Sequence, residues 1–225
     1  MARLVLLHSP LLGPSSWAAT AEALRLLGHV AETPAWPRLG GVKTDYYAIL
    51  AAGLAERIAP GEAPVLVAHS GAGALLPALA SRLAVPPAAA IFVDAILPHP
   101  GRSWFDTVPA AFRDQLRAGA ADGWLPPWYA WWPPGALEQL VPDEAARDAL
   151  IAELEPIPAA FFEEAAPDAP LRAPAAYLRL SGAYGAEADA AQHQGWPTKR
   201  LPLNHLAILT QPTAVAAALQ GVARA

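Results

Sequence analysis

The segment of residues 65–73 contains the side chain best suited to nucleophilic chemistry. An apolar run ends in His69 and Ser70, and glycine occupies positions 71 and 73. Ser70 has an alanine two residues away on each side, so a strand and a helix can approach closely around a sharp turn. Such a turn lifts the hydroxyl above the strand end, beside helix N-terminal amides that favour an oxyanion. The pattern predicts Ser70 as a nucleophile; a Ser-Gly turn without chemistry is the alternative.

His205 is the second candidate, because it follows the last predicted strand, residues 199–203. A loop in this position can bring an imidazole over a serine at the same edge of a sheet. Histidine titrates at about pH 6.5, so the neutral ring is available as a base at neutral pH. In combination with Ser70, the position predicts a general base, whereas alone it also fits a structural histidine.

A sheet must carry these two residues, and the sequence predicts one. Short apolar runs alternate with segments of helical periodicity in the first part of the chain and again near its end. The alternation is typical of an α/β protein with a doubly wound, mostly parallel sheet and helices on both faces. The predicted strands are residues 4–8, 29–33, 65–69, 89–94, 175–181 and 199–203. The predicted helices of this part are residues 17–27, 44–58, 71–83 and 213–222.

Residues 97–172 interrupt the alternation. The segment is rich in proline and holds five of the eight tryptophans of the chain, and no strand-like run occurs in it. Its predicted helical pieces are residues 109–117 and 143–154. Inserts in open α/β sheets lie over the carboxyl ends of the strands, where ligands bind. We therefore expect a sheet domain of residues 1–96 and 173–225, covered by a helical cap of residues 97–172.

The tryptophans of the predicted cap suit the wall of a pocket. Aromatic rings offer a large apolar area, and an indole N–H can orient a ligand. We expect a small-molecule ligand and at least one tryptophan against it, although any single ring could instead pack the cap onto the sheet. The candidates for substrate binding are Trp104, Trp128, Trp131 and Trp132.

Composition excludes several other classes of protein. The 225 residues suit one α/β domain, and 54% hydrophobic against 16% charged residues argues against disorder. The net charge is −5, and no cluster of basic residues predicts a nucleic-acid or membrane partner. Zero cysteines exclude a thiol nucleophile and disulfides, and no motif predicts a metal or another cofactor. Without a signal peptide or an apolar run of roughly 18 residues, we expect a cytoplasmic location.

The serine turn, the late histidine and the long insertion together resemble the α/β-hydrolase fold over nearly the whole chain. The closer similarity is to the branch with a cap that contains plant methylesterases and hydroxynitrile lyases. That branch opens with a strand, a histidine and a glycine–tryptophan loop, as in the segment HSPLLGPSSW from His8 to Trp17. The strand and turn IFVDAILP, residues 91–98, is similar as well. The resemblance implies an enzyme whose serine and histidine work with an acid.

Two positions depart from the pattern of the resembling family. Most members carry the acid after the next-to-last strand, but here that loop has Ala183 and Gly185 where an aspartate is expected. Some members carry it one strand after the nucleophile, which favours Asp94, with Glu187 as the alternative acid. The order serine, aspartate, histidine agrees with this choice.

The second departure concerns the oxyanion hole. The family's first donor, the amide after the nucleophile, corresponds to Gly71. The second donor corresponds to Pro10, which has no N–H. The Ser9 hydroxyl or the Leu11 amide is then the candidate replacement.

The resulting prediction is a cofactor-independent serine esterase that acts on a small to medium apolar or aromatic ester or lactone. Ser70, His205 and Asp94 form its predicted triad. A lyase that uses the same serine and histidine for proton transfer is an alternative, motivated by Pro10. A second alternative is a relative that binds ligands without efficient turnover. The sequence does not determine the oligomeric state.

Overall fold

The computed structural model describes residues 1–222 as an α/β structure whose central sheet is parallel. The strands are β1 (Arg3–Leu7), β2 (Val30–Glu32), β3 (Val65–Ser70), β4 (Ala89–Ala95), β5 (Trp124–Leu125), β6 (Ile157–Pro158), β7 (Ala175–Arg179) and β8 (Thr198–Arg200). Within residues 1–222 the central sheet has six strands in the order β2-β1-β3-β4-β7-β8. All its neighbouring strands pair in parallel, which confirms the predicted sheet.

Helices cover both faces of this sheet. They are α1 (Ser15–Leu26), α2 (Tyr46–Ala55), α3 (Leu76–Ala80), α4 (Ala110–Gly119), α5 (Ala136–Leu140), α6 (Glu144–Ile151), α7 (Ala159–Glu163), α8 (Gly185–His193), α9 (Ala207–Thr210) and α10 (Pro212–Val222). Among the helices that the structure describes, none combines the length and the apolar character needed to cross a lipid bilayer.

The strands are sandwiched because their side chains alternate between two apolar layers. Leu4 and Leu6 of β1 share a buried cluster with α1 and α10, whereas Val5 and Leu7 share one with α2 and α3. Burial on both faces explains why the central strands are continuous apolar runs in the sequence. The layers leave the carboxyl ends of the strands free to carry polar side chains.

The predicted helix after Ser70 is two helices in the structure. A 3₁₀ turn, Gly71–Leu75, comes first, and α3 follows it. Pro77 lies at the beginning of α3, where a missing N–H removes no intrahelical hydrogen bond. The proline therefore marks the start of the α-helical turns rather than a break within one helix.

The segment between β4 and β7 contains α4 to α7 and a short antiparallel sheet of β5 and β6. The expectation that this segment has no strand is therefore wrong. Each strand has two residues, which is too short for any alternation to show in the sequence. Several of its aromatic side chains, among them Phe105 and Phe162, belong to the same buried cluster as α2 and α3. The segment thus packs on the sheet domain through a continuous apolar contact.

Two glutamates attach this segment to the N-termini of α1 and α2. Glu153 accepts hydrogen bonds from the Ser15 amide at 3.1 Å and the Ser15 hydroxyl at 2.6 Å. Glu164 accepts from the Tyr46 and Tyr47 amides at 2.9 and 3.0 Å. The residues that precede α1 and α2 make no side-chain capping bond themselves. The glutamates therefore supply the missing caps and fix the segment over one edge of the sheet.

Candidate active site

Ser70 ends β3 in a strained backbone conformation. Its φ is 56° and its ψ is −127°, a region that residues other than glycine rarely adopt. Ala68 and Ala72 are fully buried on either side of it. A Cβ at Gly73 would lie 2.1 Å from the Ile96 carbonyl oxygen, so a side chain there would block the close approach. The turn holds the Ser70 hydroxyl at the carboxyl edge of the sheet, in the wall of a cavity.

Asp94 reaches the same edge because β4 bulges next to Ser70. His69 pairs with Val93, but Ser70 pairs with Ala95, so Asp94 is the extra residue, and its φ is 43°. A bulge of this kind re-aims a side chain at the end of a strand. The Tyr177 hydroxyl accepts from the Ala95 amide at 3.0 Å and donates to the Ala95 carbonyl at 2.7 Å. Tyr177 therefore holds the backbone beside the bulge.

The carboxylate of Asp94 is fully buried and holds the imidazole of His205. Its Oδ2 accepts from His205 Nδ1 at 3.0 Å and from the Ser181 hydroxyl at 2.6 Å. Its Oδ1 accepts from the Leu180 and Ser181 amides at 2.6 and 2.9 Å. Burial alone would raise the pKa of Asp94, but the hydrogen bonds from His205 and Ser181 outweigh it, and the pKa lies below its ordinary value. Asp94 is thus an ionised partner for the ring.

Glu187, the alternative acid, makes no side-chain hydrogen bond to His205 among the residues that the structure describes. It lies on α8 in the wall of the cavity, and its buried Oε2 lacks a partner within residues 1–222. Burial raises the pKa of Glu187, and the charge of Asp94 raises it further. Of the two predicted acids, the structure therefore brings Asp94, and not Glu187, to the histidine.

Tyr184 belongs to the site, although the sequence analysis did not identify it. Its hydroxyl lies 3.2 Å from Ser70 Oγ, and its ring stacks on His205 with centroids 4.9 Å apart and planes 6° apart. No hydrogen bond joins Ser70 Oγ to the His205 ring among the described residues. Such bonds are often long before substrate binds. The only signal for Tyr184 in the sequence is its place in the loop after β7, where the family pattern expects the acid.

Ser9 lies opposite Gly71 at the end of β1. The buried Ser9 Oγ accepts the Leu11 amide at 3.2 Å. A Cβ at Gly71 would lie 3.2 Å from the same oxygen and 3.6 Å from Pro10 Cδ. Of the two predicted replacement donors, the Leu11 N–H is therefore directed at Ser9, whereas the Ser9 hydroxyl keeps its own proton to donate.

A cavity of about 860 Å³ lies above these residues. Aromatic side chains form part of its wall, including all four tryptophans predicted to bind substrate: Trp104, Trp128, Trp131 and Trp132. The Trp128 ring centroid is 6.5 Å from that of His205, whereas the Trp131 N–H is bound to the Pro126 carbonyl at 2.8 Å. Within residues 1–222 no group of three or more acidic or histidine side chains is arranged to hold a metal ion.

Comparison with known proteins rests on structure, since no family model and no curated protein sequence matches the chain. An extracellular α/β-hydrolase from a Paenibacillus species matches with a TM-score of 0.79 at 23% identity, covering 99% of both chains. A pyrethroid hydrolase from Sphingobium faniae matches with a TM-score of 0.76 at 20% identity, covering 100% of this chain and 98% of its own. This chain has the α/β-hydrolase fold. The resemblance predicted from the serine turn and the late histidine is confirmed at that level.

A third solved structure is also similar. Polyneuridine aldehyde esterase matches with a TM-score of 0.70 at 17% identity, covering 99% of this chain and 100% of its own. Because the agreement spans whole chains, the fold includes the segment between β4 and β7 as well as the sheet.

Proposed function

We propose that the protein is a serine hydrolase that cleaves carboxylic esters. The observation that carries the proposal is the contact between the buried Asp94 carboxylate and His205 Nδ1, at the same sheet edge as the strained Ser70. The similar structures described above are of two hydrolases and an esterase, which supports the same reaction class. Ser70 is the proposed nucleophile, His205 the base and Asp94 the orienting acid.

The proposed mechanism begins with the tautomer of His205. Because the Asp94 carboxylate can only accept, the proton of the neutral ring lies on Nδ1 and the lone pair on Nε2. Nε2 takes the Ser70 proton as Oγ attacks the ester carbonyl carbon, and the imidazolium then protonates the leaving alkoxide. Water repeats the sequence on the acyl-enzyme and releases the acid. Asp94 stays ionised throughout and stabilises the imidazolium.

The negative charge of the tetrahedral intermediate needs donors on the side of Gly71. The Gly71 amide is the first, since it follows the nucleophile in the turn. We assign the second to the Ser9 hydroxyl, which lies beside Gly71 and has its lone pair engaged by the Leu11 amide. A side-chain hydroxyl would thus replace the amide that Pro10 lacks.

The cavity above the triad supports an apolar substrate with a small number of polar groups. Its tryptophan and phenylalanine walls favour an aromatic or aliphatic ester, or a lactone, of small to medium size. Of the four tryptophans, Trp128 is the one best placed to contact a group bound near His205. The reaction as proposed needs no cofactor, and the ligand is a small molecule.

A fluorophosphonate probe tests the nucleophile directly. We expect one adduct on Ser70 by peptide mass spectrometry, and none in Ser70→Ala. A panel of p-nitrophenyl esters should be hydrolysed by the wild-type protein and lose about 10⁴-fold or more in kcat for Ser70→Ala and His205→Ala. Ser81→Ala is a matched control, because this serine does not line the cavity.

The outcomes separate the proposal from its alternatives. Absence of an adduct on Ser70 would overturn the serine-nucleophile assignment. An adduct on Ser70 without turnover of any ester would favour the lyase or the ligand-binding relative instead.

A further inference from the structure

Tyr184 occupies a position that the proposed triad does not use. It ends the 3₁₀ turn Gly182–Tyr184, in the loop after β7. The family pattern places the acid in this loop, but here Asp94 of β4 holds His205 Nδ1. The loop therefore brings a phenol, rather than a carboxylate, to the histidine. The inference below rests on the proposed function.

The stacking geometry gives Tyr184 and His205 different directions from which to approach Ser70. The two rings are nearly parallel, with planes 6° apart. The Nε2 lone pair lies in the plane of the imidazole, so His205 approaches Ser70 within that plane. The Tyr184 hydroxyl lies in the neighbouring parallel plane, 3.2 Å from Ser70 Oγ. The two groups therefore need not compete for one lone pair or one proton of the serine.

The direction of the hydrogen bond follows from the protonation of the partners. Burial raises the pKa of Tyr184, so the phenol keeps its proton throughout the neutral range. When Ser70 Oγ attacks the ester, its proton must pass to His205. Once that proton points to the imidazole, Ser70 Oγ has lone pairs left to accept from the Tyr184 O–H.

We propose that Tyr184 is a catalytic hydrogen-bond donor to Ser70 Oγ whose main effect is on deacylation. In that step the bond between the acyl carbon and Oγ breaks, and its electron pair goes to Oγ. The imidazolium of His205 transfers its Nε2 proton to Oγ, while Tyr184 keeps its own proton and only donates a hydrogen bond. The products are the carboxylic acid, the free serine and neutral His205.

The effect falls on deacylation because the two starting states differ. In the free enzyme the Tyr184 hydroxyl already lies 3.2 Å from Ser70 Oγ, so acylation gains little from a hydrogen bond between them. In the acyl-enzyme Oγ is an ester oxygen and accepts weakly. The hydrogen bond therefore strengthens as charge develops on Oγ during deacylation. It lowers the barrier to deacylation more than the barrier to acylation.

Tyr184→Phe tests the donor while retaining the ring that stacks on His205. Stopped-flow measurements with a p-nitrophenyl ester resolve acylation as a burst and deacylation as the steady state. We expect deacylation to fall about 10- to 100-fold, the range for one hydrogen bond to a charged group, with acylation changed less than about threefold. The acyl-enzyme on Ser70 should then accumulate and be visible by intact mass spectrometry. Tyr129→Phe, on the exposed surface, is the matched control.

The results separate this inference from the proposed function. If the wild-type protein hydrolyses the ester and Tyr184→Phe deacylates at the same rate, the role of Tyr184 is wrong and the serine hydrolase stands. Equal losses in acylation and deacylation would also overturn it, because they would indicate a structural effect on the site. A wild-type protein without an adduct on Ser70 would overturn both.

Discussion

The imidazole of His69 lies against that of His205 and donates its Nε2–H to the His205 carbonyl at 2.9 Å. Because a carbonyl can only accept, the tautomer of neutral His69 is fixed, and its Nδ1 is left buried without a partner among the described residues. Burial, and then the charge of His205, lowers the pKa of His69 to about 3. The residue before the nucleophile is thus a neutral support for the backbone that carries the proposed base.

This contact predicts how stability depends on pH. In the unfolded chain His69 has a pKa of about 6.5, so between about pH 6.5 and 3 the unfolded state binds the extra proton. The free energy of unfolding therefore falls as the pH drops through this range, by at most about 1.4 kcal/mol per unit from this group. We expect His69→Gln, which can still donate to the carbonyl, to reduce that slope. Urea unfolding at pH 7, 6 and 5 measures it.

The exposed His193 provides the control for that experiment. His193→Gln makes the same chemical change on the surface of α8. A wild-type slope in His69→Gln would show that His69 does not stay neutral in the folded state.

The choice between the two candidate acids has a direct kinetic test. Asp94→Asn keeps the shape of the side chain but removes the charge that stabilises the imidazolium, so we expect kcat/KM to fall by about 10⁴-fold. Glu187→Gln should retain activity within a few-fold, because the Glu187 side chain makes no hydrogen bond to His205 within residues 1–222. Steady-state kinetics on one ester distinguish the variants. The Asp94 assignment is wrong if only Glu187→Gln loses activity.

Much of this arrangement could be predicted because the chemistry lies at strand ends. The central strands are buried on both faces, so they stand out as continuous apolar runs, and the polar residues that end them are conspicuous. Ser70 is predicted in this way, His205 is predicted from the loop after the last strand, and Asp94 is favoured by the family resemblance. The structure adds the cause for Asp94: a bulge in β4 aims the carboxylate at the ring.

The contributions of Tyr177 and Tyr184 could not be predicted, because each depends on a contact between distant parts of the chain. Tyr177 reads in the sequence as one more apolar residue of β7, yet its hydroxyl binds both backbone groups of Ala95. Tyr184 matters through a stack and a hydroxyl contact that no spacing encodes. The short strands β5 and β6 were missed for a different reason, since two residues cannot display a period.

The oxyanion assignment predicts a kcat effect at Ser9. Ser9→Ala removes the hydroxyl opposite Gly71, and loss of one such donor costs about 10²- to 10³-fold in kcat. KM should change little if the donor acts mainly on the developing charge. Ser81→Ala again serves as the control.

Ser9→Ala also distinguishes the Ser9 hydroxyl from the Leu11 amide as the second oxyanion donor. The substitution releases the Leu11 amide from its bond to Ser9 Oγ. If that amide were the true donor, kcat would stay the same or rise. An unchanged or increased kcat would therefore transfer the role from Ser9 to Leu11.

The attachment of the segment between β4 and β7 predicts unequal stability effects at two adjacent glutamates. Glu164 caps the N-terminus of α2 through the Tyr46 and Tyr47 amides, so Glu164→Ala should lower the free energy of unfolding by about 1 kcal/mol, within a range of about 0.5–2. Glu163 instead pairs with Arg117 at 2.8 Å on the surface, where water screens the charges. Glu163→Ala should therefore cost less. Urea unfolding of both variants measures the difference, and an equal or greater loss for Glu163→Ala would mean that Glu164 does not act as the cap of α2.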